Sequence, residues 1–325
     1  MTLWRLLAIG GGLAFLGLVY WTVSPAFWND GSGTSGTDFG PSTAPAGTAG
    51  PTDPVLVGAG DIASCNQESD EKTAALLDQV VATTAEAGAE TSVFTAGDNA
   101  YENGTPSEFA SCYDPTWGAF KARTRPVPGN HDYVTAGATG YYHYFGAAAG
   151  PSGKGWYAYD LGAWRIYALN SNCEAIGGCG AGSTQETWLQ ADLATNPRQC
   201  VAAIWHHPRF SSGFHGNNTN MDQIWRDLVS AGAEFIVNGH DHGYERFALM
   251  TATGAPAPVN GTREFVVGTG GASLRALGTI QASSEVRNNA TLGVMKFTLT
   301  ATGYAWQFVP IAGRTFTDSG TGTCS

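Results

Sequence analysis

Short apolar runs, each closed by a glycine or a proline and followed by a polar loop, recur along the chain. Pro54–Gly60 stops at Asp61, and Ser92–Ala96 stops at Gly97-Asp98-Asn99-Ala100-Tyr101. Arg125–Pro128 stops at Gly129-Asn130-His131-Asp132, and Cys200–Trp205 at His206-His207-Pro208. The run Glu234–Asn238 stops at Gly239-His240-Asp241-His242. Brief β-branched and aromatic runs punctuated in this way read as buried strands. Ala74, Leu77, Val80 and Val81 sit near helical spacing and predict a helix over 68–86. Further helices are expected over 107–121, behind Thr105-Pro106, and over 184–194 and 221–231. Trp156–Asn170 and Gly293–Pro310 read as hairpins, with another strand at Glu264–Gly268. Strand, glycine, polar loop, helix is the α/β signature in which strand carboxyl ends build a site. No internal repeat or second domain boundary interrupts the body.

Composition narrows the class. At 43% hydrophobic, with 10 Trp, 12 Tyr and 15 Phe, the chain can pack a sizeable core. A net charge of −11 argues against a nucleic-acid partner and repels anionic substrates unless bound metal reverses the local sign. Leu6 to Val23 carry no charge, so residues 1–28 read as a signal peptide or an uncleaved membrane anchor. Either way the body is extracytoplasmic, secreted or held on the outer face of the membrane. Residues 29–54, rich in Gly, Ser, Thr, Pro and Ala, read as a flexible linker, leaving 55–325 as one folded domain. Six cysteines suit that compartment. Cys173 and Cys179 can pair locally, and the simplest pairing of the rest is Cys65–Cys112 and Cys200–Cys324.

Collected, the strand-end residues are Asp61, Asp98, Tyr101, Asn130, His131, His206, His240 and His242. They are expected to crowd one edge of a sheet. Carboxylates, imidazoles, an amide and a phenol are hard-to-borderline donors that suit two cations sharing a carboxylate. The ordered motifs, over Val55–Gly271, resemble the calcineurin-like metallophosphoesterase superfamily. Tyr101, three residues after Asp98, and Ala63, where most of the superfamily has histidine, resemble its purple acid phosphatase branch. The loop Gly239–Arg246 is similar to that of bacterial secreted members.

The resemblance implies a four-layer α/β/β/α sandwich with two metal ions, without the extra N-terminal β-sandwich of plant members. Asp61, Tyr101 and His242 would hold the first ion, and Asn130, His206 and His240 the second, with Asp98 bridging. His206 is preferred to His207 because the family ligand lies two residues before the proline. A phenolate ligand implies Fe(III) in the first site, with Fe(II), Zn or Mn in the second. The implied reaction is phosphomonoester hydrolysis by in-line attack of a metal-bound hydroxide on a small phosphorylated substrate. His131 would orient that substrate or protonate its leaving group, Asp132 would fix the His131 tautomer, and His215 resembles the general acid. His143 reads as structural, and Arg246 either touches phosphate or pairs with Glu245. No protein partner is implied. The alternatives are a phosphodiesterase or nucleotide hydrolase on the same site, and a non-catalytic cell-surface binding module.

Overall fold

Alternation along the strands divides their side chains between two cores. In the strand Cys200–Ile204, Ala202 and Ile204 face a core shared with a second sheet, while Val201 and Ala203 face helices. This computed structural model describes residues 49–325. The expected signal or anchor segment, 1–28, and most of the expected linker lie outside the described residues.

The first sheet runs β15 (Ser319–Thr323), β14 (Gly303–Pro310), β13 (Gly293–Thr300), β1 (Val55–Ala59), β3 (Thr91–Ala96), β5 (Thr124–Val127). The second runs β12 (Ser284–Asn288), β10 (Tyr244–Met250), β11 (Thr262–Val267), β9 (Phe235–Asn238), β8 (Cys200–Ile204), β7 (Trp164–Ala168), β6 (Tyr157–Leu161). Two short strands, β2 (Ala63–Ser64) and β4 (Ala100–Tyr101), pair beside the site. Strands β1, β3 and β5 are mutually parallel, as are β7, β8, β9 and β11.

Helix α1 (Asp70–Glu86) covers the outer face of the first sheet. Helices α4 (Thr184–Thr195) and α5 (Asp222–Ser230) cover the second, with Leu189, Ile224, Trp225 and Leu228 buried against it. The result is the expected four-layer α/β/β/α sandwich. Between the sheets, Phe235 stacks on Phe297 at 4.3 Å, and Trp164 Nε1 donates to the Thr300 carbonyl.

The expected helix over 107–121 is broken. Thr105 caps α2 (Pro106–Glu108), with Glu108 closing the capping box. The chain then widens into a π-turn at Phe109–Tyr113 and tightens into a 3-10 stretch at Trp117–Arg123. Cys112 is tied to Cys65, and Pro115 has no N–H to continue a ladder. A helix α3 (Thr139–Phe145) forms in an aromatic run that shows no helical start signal, and exposes His143.

All three disulfides, Cys65–Cys112, Cys173–Cys179 and Cys200–Cys324, follow the simplest pairing and indicate an oxidising, extracytoplasmic environment. Cys200–Cys324 closes a span of 124 residues, worth about 4–5 kcal/mol in loop-closure entropy. Among the described residues, no helix is long and apolar enough to cross a membrane.

Beside that staple, the buried Glu234 carboxyl accepts the Ser325 N–H at 2.7 Å. Burial pushes its pKa from 4.5 to about 7. The neutral form is the one the fold favours, so this stability is complete below pH 4.5 and is lost as pH rises through about 7. Glu234→Gln should flatten that dependence: between pH 5 and 8 its melting temperature should fall less than that of the wild type. Parallel thermal-denaturation curves for the two proteins would contradict it.

Candidate metal centre

The expected edge of one sheet is instead a seam between two. Asp61, Asp98 and Asn130 leave β1, β3 and β5 of the first sheet, while His206 and His240 leave β8 and β9 of the second. Three of these residues lie in left-handed backbone, Asp61 at φ 58°, Asp98 at 50° and His240 at 70°. Such conformations cost roughly 1–3 kcal/mol each and persist where surrounding structure demands them. What demands them is mutual hydrogen bonding. The His240 N–H donates to Asp61 Oδ2, and the His131 N–H to Asp98 Oδ1, both at 2.8 Å. Gly129 is required for this approach, since a Cβ there would overlap Asp98, and a Cβ at Gly97 would lie 2.5 Å from His206 Nδ1.

The side chains then sort into two groups joined by Asp98. In the first, Tyr101 Oη lies 2.8 Å from Asp61 Oδ1 and 3.3 Å from His242 Nε2. In the second, His206 Nε2 lies 3.0 Å from Asn130 Oδ1, and the His240 ring centres 5.0 Å from His206. Asp98 Oδ2 reaches both, at 3.1 Å from Tyr101 Oη and 3.3 Å from His206 Nε2. His240 and His242 therefore face different groups, although one residue separates them.

Two of the imidazoles are held in the tautomer a cation needs. His206 Nδ1–H donates to the Ala96 carbonyl and His242 Nδ1–H to the Ser273 carbonyl, both at 2.8 Å. Each Nε2 is left aimed into the cluster. Burial alone would raise the Asp61 and Asp98 carboxyls, but His242 and His206 beside them hold both below the ordinary range. Burial would likewise lower His206, yet Asp98 lifts it to about 9. Burial and then neighbouring imidazoles push His207 down to about 3 and His240 lower still. Burial and the two carboxylates drive the Tyr101 phenol well above 10. Carboxylates, imidazoles, an amide and a phenol gathered in two groups around Asp98 are donors that fit a dinuclear centre.

Two expected roles change. Asp132 does not fix the His131 ring, because its buried carboxylate is consumed at 2.8–2.9 Å by Gly129 N–H and Asn99 Nδ2. His131 Nδ1–H donates instead to the Glu102 carbonyl at 2.7 Å, leaving Nε2 4.0 Å from Asp98. Asp132 thus braces the loop that presents Asn130, and burial next to Asp98 lifts its pKa to about 7. Arg246 pairs with Asp318 and Glu285 rather than with Glu245 or the site.

His215 does reach the cluster, its ring centred 4.2 Å from that of His240. Arg275, not singled out from the sequence, donates to His215 Nε2 at 2.9 Å, so a neutral His215 carries its proton on Nδ1. His207 Nδ1 lies 2.8 Å from Ser171 Oγ, another contact absent from the expectations. Chain order gives no hint of either, since the partners lie 60 and 36 residues away.

A family model described as calcineurin-like phosphoesterase matches residues 56–244. The chain belongs to that family of phosphoesterases. No curated protein matches the sequence. Among solved structures, the purple acid phosphatase of yellow lupin (Lupinus luteus) seeds superposes with a TM-score of 0.68 at 19% identity, over 83% of this chain and 53% of that one. This chain thus spans about half the length of the lupin enzyme. The Plasmodium protein GAP50, described as the anchor in the inner membrane complex, gives 0.61 at 13% identity, over 82% and 88%. PhoD gives 0.51 at 11%, over 85% and 70%. These three likenesses are likenesses of fold.

Proposed function

We propose that the protein is an exported phosphomonoesterase of the purple acid phosphatase type. The observation that carries this reading is Tyr101 Oη, buried 2.8 Å from Asp61 and 3.1 Å from the shared carboxylate of Asp98. Asp61, Tyr101 and His242 would hold Fe(III); Asn130, His206 and His240 would hold Fe(II), Zn or Mn; Asp98 would bridge. A phenol raised so far by burial and two carboxylates ionises readily only beside a strongly charged cation. Bound ions would neutralise the phosphoryl oxygens and supply a hydroxide nucleophile at moderate pH.

The chain's own groups do the rest. The His131 N–H keeps Asp98 oriented, and the Ala96 and Ser273 carbonyls keep His206 and His242 in register. His215, as the imidazolium, would supply a proton to the departing alkoxide. Water is added across the P–O bond, giving phosphate and an alcohol. The likeness to a purple acid phosphatase supports this reading, as do the disulfides for export. The test is metal analysis with a visible spectrum. About one iron per chain and a tyrosinate charge-transfer band, lost in Tyr101→Phe, are expected. Two manganese or zinc ions without such a band would place the chain in a colourless branch.

A further inference from the structure

Phe214 is 66% exposed, yet the loop that carries it is not loosely held. Glu264 accepts the Arg209 and Phe210 N–H groups at 2.8 and 3.1 Å, and Glu245 accepts that of Ser212 at 2.7 Å. Asp241 accepts the His215 N–H at 2.7 Å and pairs with Ser211 Oγ. All three carboxyls are buried. A second loop is stitched to the first through Gly278 N–H on the Ser212 carbonyl and Gln281 N–H on Ser212 Oγ, at 2.8 and 2.9 Å. Taking three carboxyl groups from water to pin one short loop is costly unless the loop must hold a shape.

The shape is an exposed apolar rim beside His215, which packs on His240 of the metal centre. The Phe214 ring centres 5.2 Å from His215, and His215 4.2 Å from His240. From the second loop, Arg275 lies 5.8 Å from the Phe214 ring, and Leu277 is 38% exposed beside it. Phe214, Arg275 and Leu277 meet along a narrow crevice that His242 also lines. Flat apolar surface, rigidly presented next to the group placed to protonate a leaving alkoxide, is where the alcohol portion of a substrate would lie.

We propose that this rim is a leaving-group subsite that selects phosphomonoesters of aromatic alcohols over those of polar aliphatic ones. The proposal rests on the phosphomonoesterase reading. Phe214 and Leu277 supply the apolar contact, and Arg275 braces both Phe214 and His215.

The test compares phenyl phosphate with glycerol 2-phosphate as substrates of the full chain. In Phe214→Ala, the ratio of kcat/KM for phenyl phosphate to that for glycerol 2-phosphate should fall roughly tenfold. A smaller fall is expected for Leu277→Ser. A ratio equal to that of the wild type in both variants overturns the subsite. If the wild type hydrolyses neither ester, the phosphatase reading fails, and calorimetric binding of phenylphosphonate against methylphosphonate decides the subsite alone. Tighter binding of the phenyl compound, lost in Phe214→Ala, supports it; equal binding of the two overturns it.

Discussion

Asp98→Asn should reduce hydrolysis of p-nitrophenyl phosphate by about a thousandfold or more, at least ~4 kcal/mol of transition-state stabilisation. Asp98 stands between the two donor groups, 3.1 Å from Tyr101 Oη and 3.3 Å from His206 Nε2. The amide keeps the size of the carboxylate and tolerates the left-handed backbone of this position, φ 50°. It retains an oxygen for the His131 N–H. What it loses is the charge that two cations would share. Circular dichroism should therefore remain that of the wild type while turnover disappears. A variant as active as the wild type would remove Asp98 from the mechanism.

The largest effect on stability is expected at Phe235→Ala. Phe235 is fully buried between the sheets, stacked 4.3 Å from Phe297, with Tyr304 at 4.8 Å and Trp164 at 5.4 Å. Rings from both sheets converge on it, so the void cannot close without one sheet sliding over the other. A loss of about 3–5 kcal/mol is expected from burial and cavity together. Denaturant unfolding measures it, and a loss below about 1 kcal/mol would mean that the inter-sheet core repacks freely. Phe235 also begins β9, whose far end leads into the loop carrying His240 and His242. A shift in the sheets would therefore be felt in the centre.

Much of the fold was legible because each buried strand ends in a short, strong signal. An apolar run stopping at Gly97-Asp98 or Gly239-His240 says where a strand ends and that something polar follows. Which sheet a strand joins is not written in such a run, and the expected single edge became a seam for that reason. The edge strands β12 and β15 escaped because they are only half buried or exposed and carry no apolar run. The break after Glu108 turns on a distant cysteine, Cys65, as much as on Pro115.

Side chains near the centre were readable by type, whereas their supports were not. Ala96 and Ser273 act through backbone carbonyls, which have no residue identity to recognise. Asp132 looked like a partner for its neighbour His131, but the turn aims it at Gly129 and Asn99. Arg275 meets His215 only because two loops are stitched together across 60 residues.

The glycines that introduce the motifs have a bearing on descent. Gly129 makes room for Asp98, Gly97 for His206, and Gly239 for Asp61, whose Oδ2 lies 2.7 Å from where its Cβ would stand. Each glycine thus serves a motif other than its own. Shortening the side chain at 98 would not free position 129, because a Cβ there would still lie 2.2 Å from the Asp98 backbone N. A lineage could not exchange the third motif alone for a version lacking that glycine. Inheritance acts on the set of motifs as one interlocked unit, spread over a chain that recombination can cut between any two of them.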